Sequence, residues 1–133
     1  MLAPMSKRRA IIPKGFEFYY EQFHFAPAVL DGDTLYCSGQ VGWAGPGTKV
    51  STDPKEQFKV AFENLRQVLE AAGAGFENVV EITTFHVGME HINAFGAVKG
   101  DYLKEPYSAW TAIGVAALFM PGLLVEIRAT AKL

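Results

Sequence analysis

A capped amphipathic helix in the middle of the chain is the feature that most constrains its fold. Asp53 is a typical helix-capping residue, Pro54 suits the first helical position, and Glu56 follows Asp53 by three residues, as in a capping box. Apolar residues then recur at steps of three and four until Gly73, namely Phe58, Ala61, Phe62, Leu65, Val68, Leu69 and Ala72. Because such a stripe has to be buried against another layer, we expect the helix to cover a β-sheet.

Strand patterns flank this helix on both sides. Before it, residues 29–38 carry apolar positions around an Asp-Gly-Asp turn, which predicts a β-hairpin. After it, residues 79–87 are rich in β-branched and aromatic side chains, as expected of a buried strand. A weaker helical pattern at 92–103 and strand patterns at 108–116 and 123–131 follow. The order β-β-α-β-α-β-β predicts an α+β fold in which two helices pack on one face of a mixed β-sheet.

The chain length of 133 residues suits one domain with one hydrophobic core. Residues 1–22 show no sustained hydrophobic period, so we expect them to form a loosely held N-terminal arm before a single domain at 23–133. Two helices can cover only one face of a sheet, and the last strands are strongly apolar. A second copy of the chain is the expected cover for the other face, which predicts an oligomer.

The charge balance and the single cysteine restrict the partners and the compartment. Twelve basic and 14 acidic side chains give a net charge of −2, which supplies no general positive field for a nucleic acid. Cys37 has no second cysteine for an internal disulfide, which favours the reducing cytoplasm. The first residues carry their charges without the long apolar stretch of an export signal. We therefore expect a cytoplasmic protein that does not bind nucleic acid.

An uncharged stretch at residues 106–125 is 20 residues long, enough in length to cross a bilayer. Pro121 and Gly122 interrupt it in its last third, where a spanning helix would be continuous. We interpret the stretch as parts of two buried strands joined by a turn, and we expect no membrane partner.

No motif indicates a cofactor, a metal or a reactive thiol. The glycine-rich segment at 42–47 has the spacing of a phosphate-binding loop, but no helix follows it directly. The three histidines lack metal-ligand spacing. Cys37 shares a strand face with Leu35, which favours a buried and unreactive thiol. The sequence therefore predicts neither a cofactor nor a metal.

Glu126 is the most informative charged residue of the sequence. It lies in the apolar run LLVEI at 123–127, where a charge has to face water, a cavity or a partner. One interpretation is an outward-facing ion pair with Arg128, which lies two residues further along the same strand face. The other is a functional carboxylate. The spacing alone leaves both interpretations open.

Four short strings occur in a specific order and spacing. They are LYCSGQ at 35–40; Gln57 with AFENL at 61–65 and LEAAG at 69–73; VVEITTF at 79–85; and Pro121-Gly122 with VEI at 125–127. Together with the order of elements, they resemble the RidA/YjgF family of reactive intermediate deaminases, also known by the older name endoribonuclease L-PSP. The resemblance extends over nearly the whole domain. It implies a chorismate-mutase-like α+β fold and a homotrimer with clefts between its subunits.

The resemblance also implies roles for individual residues. In the deaminase branch of the family, a glutamate on the last strand positions the water that hydrolyses an enamine or imine, and this glutamate matches Glu126. The serine and glycine of the S-G-Q string match Ser38 and Gly39, which are expected to contact the substrate. The family arginine that binds the substrate carboxylate falls on Trp110 instead.

Three further cleft positions depart from the family pattern. A pocket tyrosine falls on Phe25, a cysteine falls on Ala112, and a frequent asparagine falls on Lys99. Because neither an indole nor a phenyl ring can replace a bidentate guanidinium, hydrolysis of 2-aminoacrylate-type imines is expected to be poor. A cleft in which Trp110 lies near Phe25 and Glu126 would suit an apolar or aromatic ligand with a hydrogen-bond donor or a positive charge.

Three functions remain to be compared. The first is an enzyme in which Glu126 directs water onto an imine or enamine. The second is a trimer that binds a small metabolite in the cleft without turnover. The third, the ribonuclease of the older family name, is disfavoured by the acidic balance and by the lack of a histidine pair in one motif.

Overall fold

The computed structural model describes residues 8–133, and it contains the predicted elements with two additions near the N-terminus. The strands are β1 (Arg8–Ile11), β2 (Ala28–Asp31), β3 (Thr34–Val41), β4 (Val79–His86), β5 (Ala109–Gly114) and β6 (Val125–Lys132). The helices are α1 (Glu17–Phe23), α2 (Pro54–Ala71) and α3 (Ile92–Tyr102), with short 3-10 turns at Phe76–Asn78 and Met89–His91. The additions are β1 and α1.

Residues 8–22 are held more firmly than their sequence pattern predicted. Strand β1 pairs antiparallel with β2, and the side chains of Ile11 and Phe16 are buried in the core. The expectation of a loosely held arm is therefore wrong for these residues, because a four-residue edge strand is too short to show a hydrophobic period. Residues 1–7 of the predicted arm lie outside the described residues. The domain boundary at residue 23 stays a prediction.

The six strands form one mixed sheet in the order β1-β2-β3-β6-β4-β5. Strand β5 runs parallel to β4, and the other neighbours pair antiparallel. Strand β6 lies between β3 and β4, with Glu126 opposite Val41 on one side and Phe85 on the other. This register places Glu126 beside the C-terminal ends of two strands, near the middle of the sheet.

Helices α2 and α3 cover one face of this sheet, as the sequence predicted. Asp53 caps α2 by accepting a hydrogen bond from the backbone N–H of Lys55, while its own backbone N–H donates to Ser51 rather than to Glu56. The rings of Phe58 and Phe62 are fully buried and pack against Phe95 of α3. The fold is an α+β fold with one mixed sheet.

The opposite face of the sheet is open within the chain. Tyr36 of β3 and Ile113 of β5 are exposed there, and β5 is exposed at every position. Of the two buried strands expected in residues 106–125, the first is therefore wrong for a single chain, because β5 is an edge strand that only one neighbour covers. None of the helices in residues 8–133 combines the length and apolar character needed to span a membrane.

Candidate active site

A cavity of about 500 Å³ opens beside Glu126 on the face of the sheet away from α2 and α3. Its walls come from α1 and the segment that follows it, from β3, from β6 and from the loop between β5 and β6. The lining residues are Tyr19, Phe23, Phe25, Ser38, Gly39, Gln40, Val41, Phe119 and Glu126. The cavity therefore unites four of the residues proposed from the sequence, namely Phe25, Ser38, Gly39 and Glu126.

Glu126 is placed in the cavity by the alternation of β6. Val125 and Ile127 point into the core and are fully buried, so the carboxyl group between them points to the open face. Burial raises the pKa of Glu126 above its ordinary value, and the positive charge of Arg128 opposes this only in part. The Arg128 guanidinium lies 5.7 Å from the centre of the Phe85 ring. Glu126 is therefore a half-buried carboxyl group at a cavity wall, and its functional role stays a prediction.

Gly39 leaves room for this carboxyl group. Strand β3 has an irregular register between Cys37 and Gln40 where it pairs with β6, and Gly39 lies within it. A Cβ atom on Gly39 would lie 2.5 Å from both the carboxyl carbon and one oxygen of Glu126. The Glu126 carboxyl group therefore lies directly over the backbone of β3, in space that a side chain at residue 39 would fill.

Ser38 fixes the segment that carries Phe25. Its hydroxyl group donates a 2.7 Å hydrogen bond to the carbonyl oxygen of Ala26. Its backbone N–H donates a 2.9 Å hydrogen bond to the carbonyl oxygen of Pro27. The hydroxyl hydrogen is therefore used within the protein, while the oxygen retains lone pairs that can accept from a ligand. A direct contact between Ser38 and a substrate stays a prediction.

Helix α1 supplies an aromatic wall that the sequence analysis missed. Tyr19 and Phe23 line the cavity, and the Tyr19 ring lies 5.3 Å from that of Phe25. Burial raises the pKa of the Tyr19 phenol, which keeps it neutral. The spacing of Phe16, Tyr19 and Phe23, in steps of three and four after Gly15, is the helical pattern that could have revealed α1.

The loop between β5 and β6 closes another side of the cavity with Phe119, whose ring lies 6.3 Å from that of Trp43. Gln57 of α2, which is fully buried, anchors this loop. Its amide nitrogen donates to the carbonyl oxygens of Ser51 and Gly122, and its amide oxygen accepts from the backbone N–H of Leu124. One side chain thus holds the loop in place just before Glu126 on β6.

Trp110, Ala112 and Lys99 lie elsewhere, on the side of the sheet that α3 covers. The indole N–H of Trp110 donates a 2.9 Å hydrogen bond to Thr84, which is buried. The Lys99 ammonium group lies 4.7 Å from the centre of the indole ring, and Ala112 pairs with Thr84. Within one chain, the sheet therefore separates these residues from Glu126, so a cleft that contains Trp110 and Glu126 would have to combine them from neighbouring subunits. Their role in substrate binding stays a prediction.

The buried titratable groups outside the cavity are not poised for catalysis. Burial raises the pKa of Cys37 to about 12, so its thiol remains protonated. His86 is buried against Phe95 and lies 2.7 Å from the hydroxyl oxygen of Thr84, and burial lowers its pKa. Within residues 8–133, no three histidine, cysteine or carboxylate side chains are grouped as they would be around a metal ion.

These observations define an α+β protein with a cavity of about 500 Å³ beside the middle strand β6 of its sheet. Residues 20–133 match the family model described as Endoribonuclease L-PSP. The chain is 34% identical to the RutC family protein YjgH of Escherichia coli (strain K12), with 97% of this chain and 98% of that protein covered. It is 36% identical to the human 2-iminobutanoate/2-iminopropanoate deaminase, with 80% and 78% covered.

Solved structures agree with these matches. The structure of protein YJGH superposes with a TM-score of 0.85 at 35% identity, with 96% of this chain and 97% of that one covered. The structure of RidA from the Antarctic bacterium Psychrobacter sp. PAMC 21119 gives a TM-score of 0.77 at 32% identity, with 82% and 88% covered. The chain belongs to the endoribonuclease L-PSP family, also known as the RidA/YjgF family, as its sequence strings predicted.

Proposed function

We propose that the protein hydrolyses an imine or enamine to a carbonyl compound and ammonia, with Glu126 acting on the water. The observation that carries this proposal is the half-buried carboxyl group of Glu126, which lies over Gly39 at the wall of a cavity large enough for a metabolite. Several relatives of this chain, the human protein among them, are named as 2-iminobutanoate/2-iminopropanoate deaminases. Site and relatives point to the same reaction class.

The chemistry needs one group that moves protons. The Glu126 carboxylate accepts a proton as water adds to the carbon of the protonated imine, and a carbinolamine forms. The same carboxyl group then returns the proton to the nitrogen, the C–N bond breaks, and ammonia leaves as the C=O bond forms. The hydroxyl proton that is released converts ammonia to ammonium, so iminium and water give carbonyl compound and ammonium. A raised pKa suits a group that accepts and returns a proton near neutral pH.

Replacing Glu126 with glutamine tests this role. The amide keeps the shape of the side chain but accepts no proton, so we expect ammonia release above the spontaneous rate to fall about 100-fold or more. Release would be measured on freshly generated imines. The wild-type rate should also fall as the pH drops through the raised pKa of Glu126, because the protonated carboxyl group is inactive. Full activity of the glutamine variant would contradict the proposal.

A homotrimer is part of this proposal. The open sheet face exposes Tyr36 and Ile113, and the edge strand β5 carries Trp110, which is 40% exposed. A neighbouring subunit that packs on this face would bury Tyr36 and Ile113, and because β5 is the edge strand, Trp110 of one subunit would lie next to the cavity of its neighbour. We expect a mass of three chains in sedimentation equilibrium at micromolar concentration. A stable monomer would remove the basis for a cleft between subunits.

A second candidate function is binding without turnover. It is favoured by Trp110, whose indole N–H is already bonded to Thr84 and which supplies no guanidinium for a substrate carboxylate. A ligand that binds tightly, with no ammonia released from any of the imines assayed, would support this second function. Ribonuclease activity is not favoured, since no histidine lines the cavity in the part of the chain that the structure describes. Residence in the cytoplasm stays a prediction.

A further inference from the structure

The charges around the cavity favour a positively charged ligand. Among the lining residues in the described part of the chain, Glu126 and Tyr19 are the ionisable ones, and no lysine, arginine or histidine is among them. The nearby Arg128 lies over the Phe85 ring rather than at the cavity wall. Within one chain, a ligand carboxylate would therefore meet the Glu126 carboxylate and no cation on the cavity wall, whereas a cation would be attracted to Glu126.

Aromatic rings favour the same kind of ligand. Tyr19, Phe23, Phe25 and Phe119 surround the space in front of Glu126. The side chains of Phe23 and Phe119 are 63% and 62% exposed, so their ring surfaces are available to a ligand within the chain. Ring faces attract organic cations through their quadrupole and also bury apolar groups, and several rings around one site bind such cations well.

We infer that the cavity selects carboxylate-free organic cations, namely iminium ions and related ammonium ions that carry an aromatic or branched apolar group. The inference rests on the proposed function for the iminium substrates, but the preference for cations is a property of the cavity itself. Phe23 of α1 and Phe119 of the β5–β6 loop are specificity-determining residues in this assignment, because both line the cavity and expose their rings. A volume of about 500 Å³ accommodates a benzyl-sized group together with its cationic centre.

Binding of unreactive probes tests the cavity apart from catalysis. Benzyltrimethylammonium, phenylacetate and benzyl alcohol share a phenyl group and differ mainly in charge. In titration calorimetry on the full chain at pH 8, we expect the ammonium ion to bind at least about tenfold more tightly than phenylacetate. Phe23→Ala should weaken its binding by roughly three- to tenfold, and Glu126→Gln, which removes the attracting charge, by about tenfold or more. The same order of affinity for phenylacetate and the ammonium ion, or no effect of either substitution, would overturn the inference.

A matched control comes from the same helix. Tyr20 is 47% exposed on α1 and does not line the cavity, so Tyr20→Ala should leave binding of the ammonium ion unchanged. If Tyr20→Ala weakens binding as much as Phe23→Ala, the effect belongs to the stability of α1 and the assignment of Phe23 fails. Circular dichroism of both variants would establish that the fold is retained.

Turnover separates this inference from the proposed function. The imine of phenylacetaldehyde and the imine of phenylpyruvate differ by one carboxylate, and oxidases generate them from phenethylamine and phenylalanine. We expect ammonia release to be faster with the carboxylate-free imine by about tenfold or more. If the ammonium probe binds but neither imine is hydrolysed, the proposed function fails while the preference for cations stands. If the phenylpyruvate imine is the better substrate, the inference fails and the hydrolase survives.

Discussion

Replacing Gly39 with alanine should lower imine hydrolysis by about 100-fold or more, because a displacement of about 1 Å at a reacting group can cost that much. The added methyl group would overlap the carboxyl group of Glu126, with its carbon only 2.5 Å from the carboxyl carbon. Pairing of β3 with β6 at Cys37 and again at Gln40 holds the backbone on either side of Gly39. The side chain of Glu126 therefore has to rotate out of its position over the strand. Ammonia release measures the loss, and a crystal structure of the variant would show the displaced carboxyl group.

Gly100→Ala provides the matched control for this experiment. Gly100 lies in α3 and a Cβ atom there would meet nothing within 4 Å, so the same chemical change introduces no overlap. Alanine is the better helix former, and this variant should keep full activity and gain about 0.5 to 1 kcal/mol in the free energy of unfolding. If Gly39→Ala is as active as Gly100→Ala, the close approach of Glu126 to β3 does not matter for the reaction.

Gln57→Leu should cost about 3 kcal/mol in the free energy of unfolding, because each buried backbone group that loses its partner costs about 1 to 3 kcal/mol. Leucine fills a similar volume but leaves the carbonyl oxygens of Ser51 and Gly122 and the N–H of Leu124 without the amide that now bonds them. The loop that carries Phe119 and leads to Glu126 would lose its anchor, so ammonia release should fall as well. Urea unfolding measures the stability, and substrate titration measures the activity.

Gln67→Leu is the control on the same helix. Gln67 is exposed on α2, so its replacement removes no buried hydrogen bond and should change the free energy of unfolding by no more than about 0.5 kcal/mol. Equal unfolding midpoints for the two leucine variants would show that the hydrogen bonds of Gln57 contribute little. A large loss of stability in Gln57→Leu with unchanged activity would show that the loop is positioned by other contacts.

The main helices, the strands of the sheet and the family could be predicted from the sequence because their patterns are local. The apolar stripe of α2 repeats over five turns, and the hairpin of β2 and β3 has a turn that glycine permits. The first part of the chain gave weaker patterns. Strand β1 has four residues, too few for a period to emerge, and the helical spacing in α1 extends over only seven residues of mixed aromatic and charged composition.

The site residues that could be predicted are those that stand out in a short stretch of the sequence. Glu126 was recognisable as a charge in an apolar strand, and Ser38 and Gly39 belong to the string that resembles the family. Phe119 and Tyr19 were not predicted as cavity residues. They come from a loop and a short helix far apart in the chain, and no local pattern connects them.

The sequence by itself determined the fold class and the carboxylate, because the spacing of apolar residues and the position of one charge among them are properties of neighbouring residues. The family followed from the resemblance of four sequence strings. The tertiary structure decided which of the candidate residues meet. The side-chain direction on a strand alternates, and the register of β4 with β5 and β6 places Trp110 beside Thr84 on the covered face and Glu126 beside Phe85 on the open one. Which face of the sheet a side chain occupies depends on how strands that are distant in the chain pair with one another. The spacing of residues along one strand does not encode that pairing.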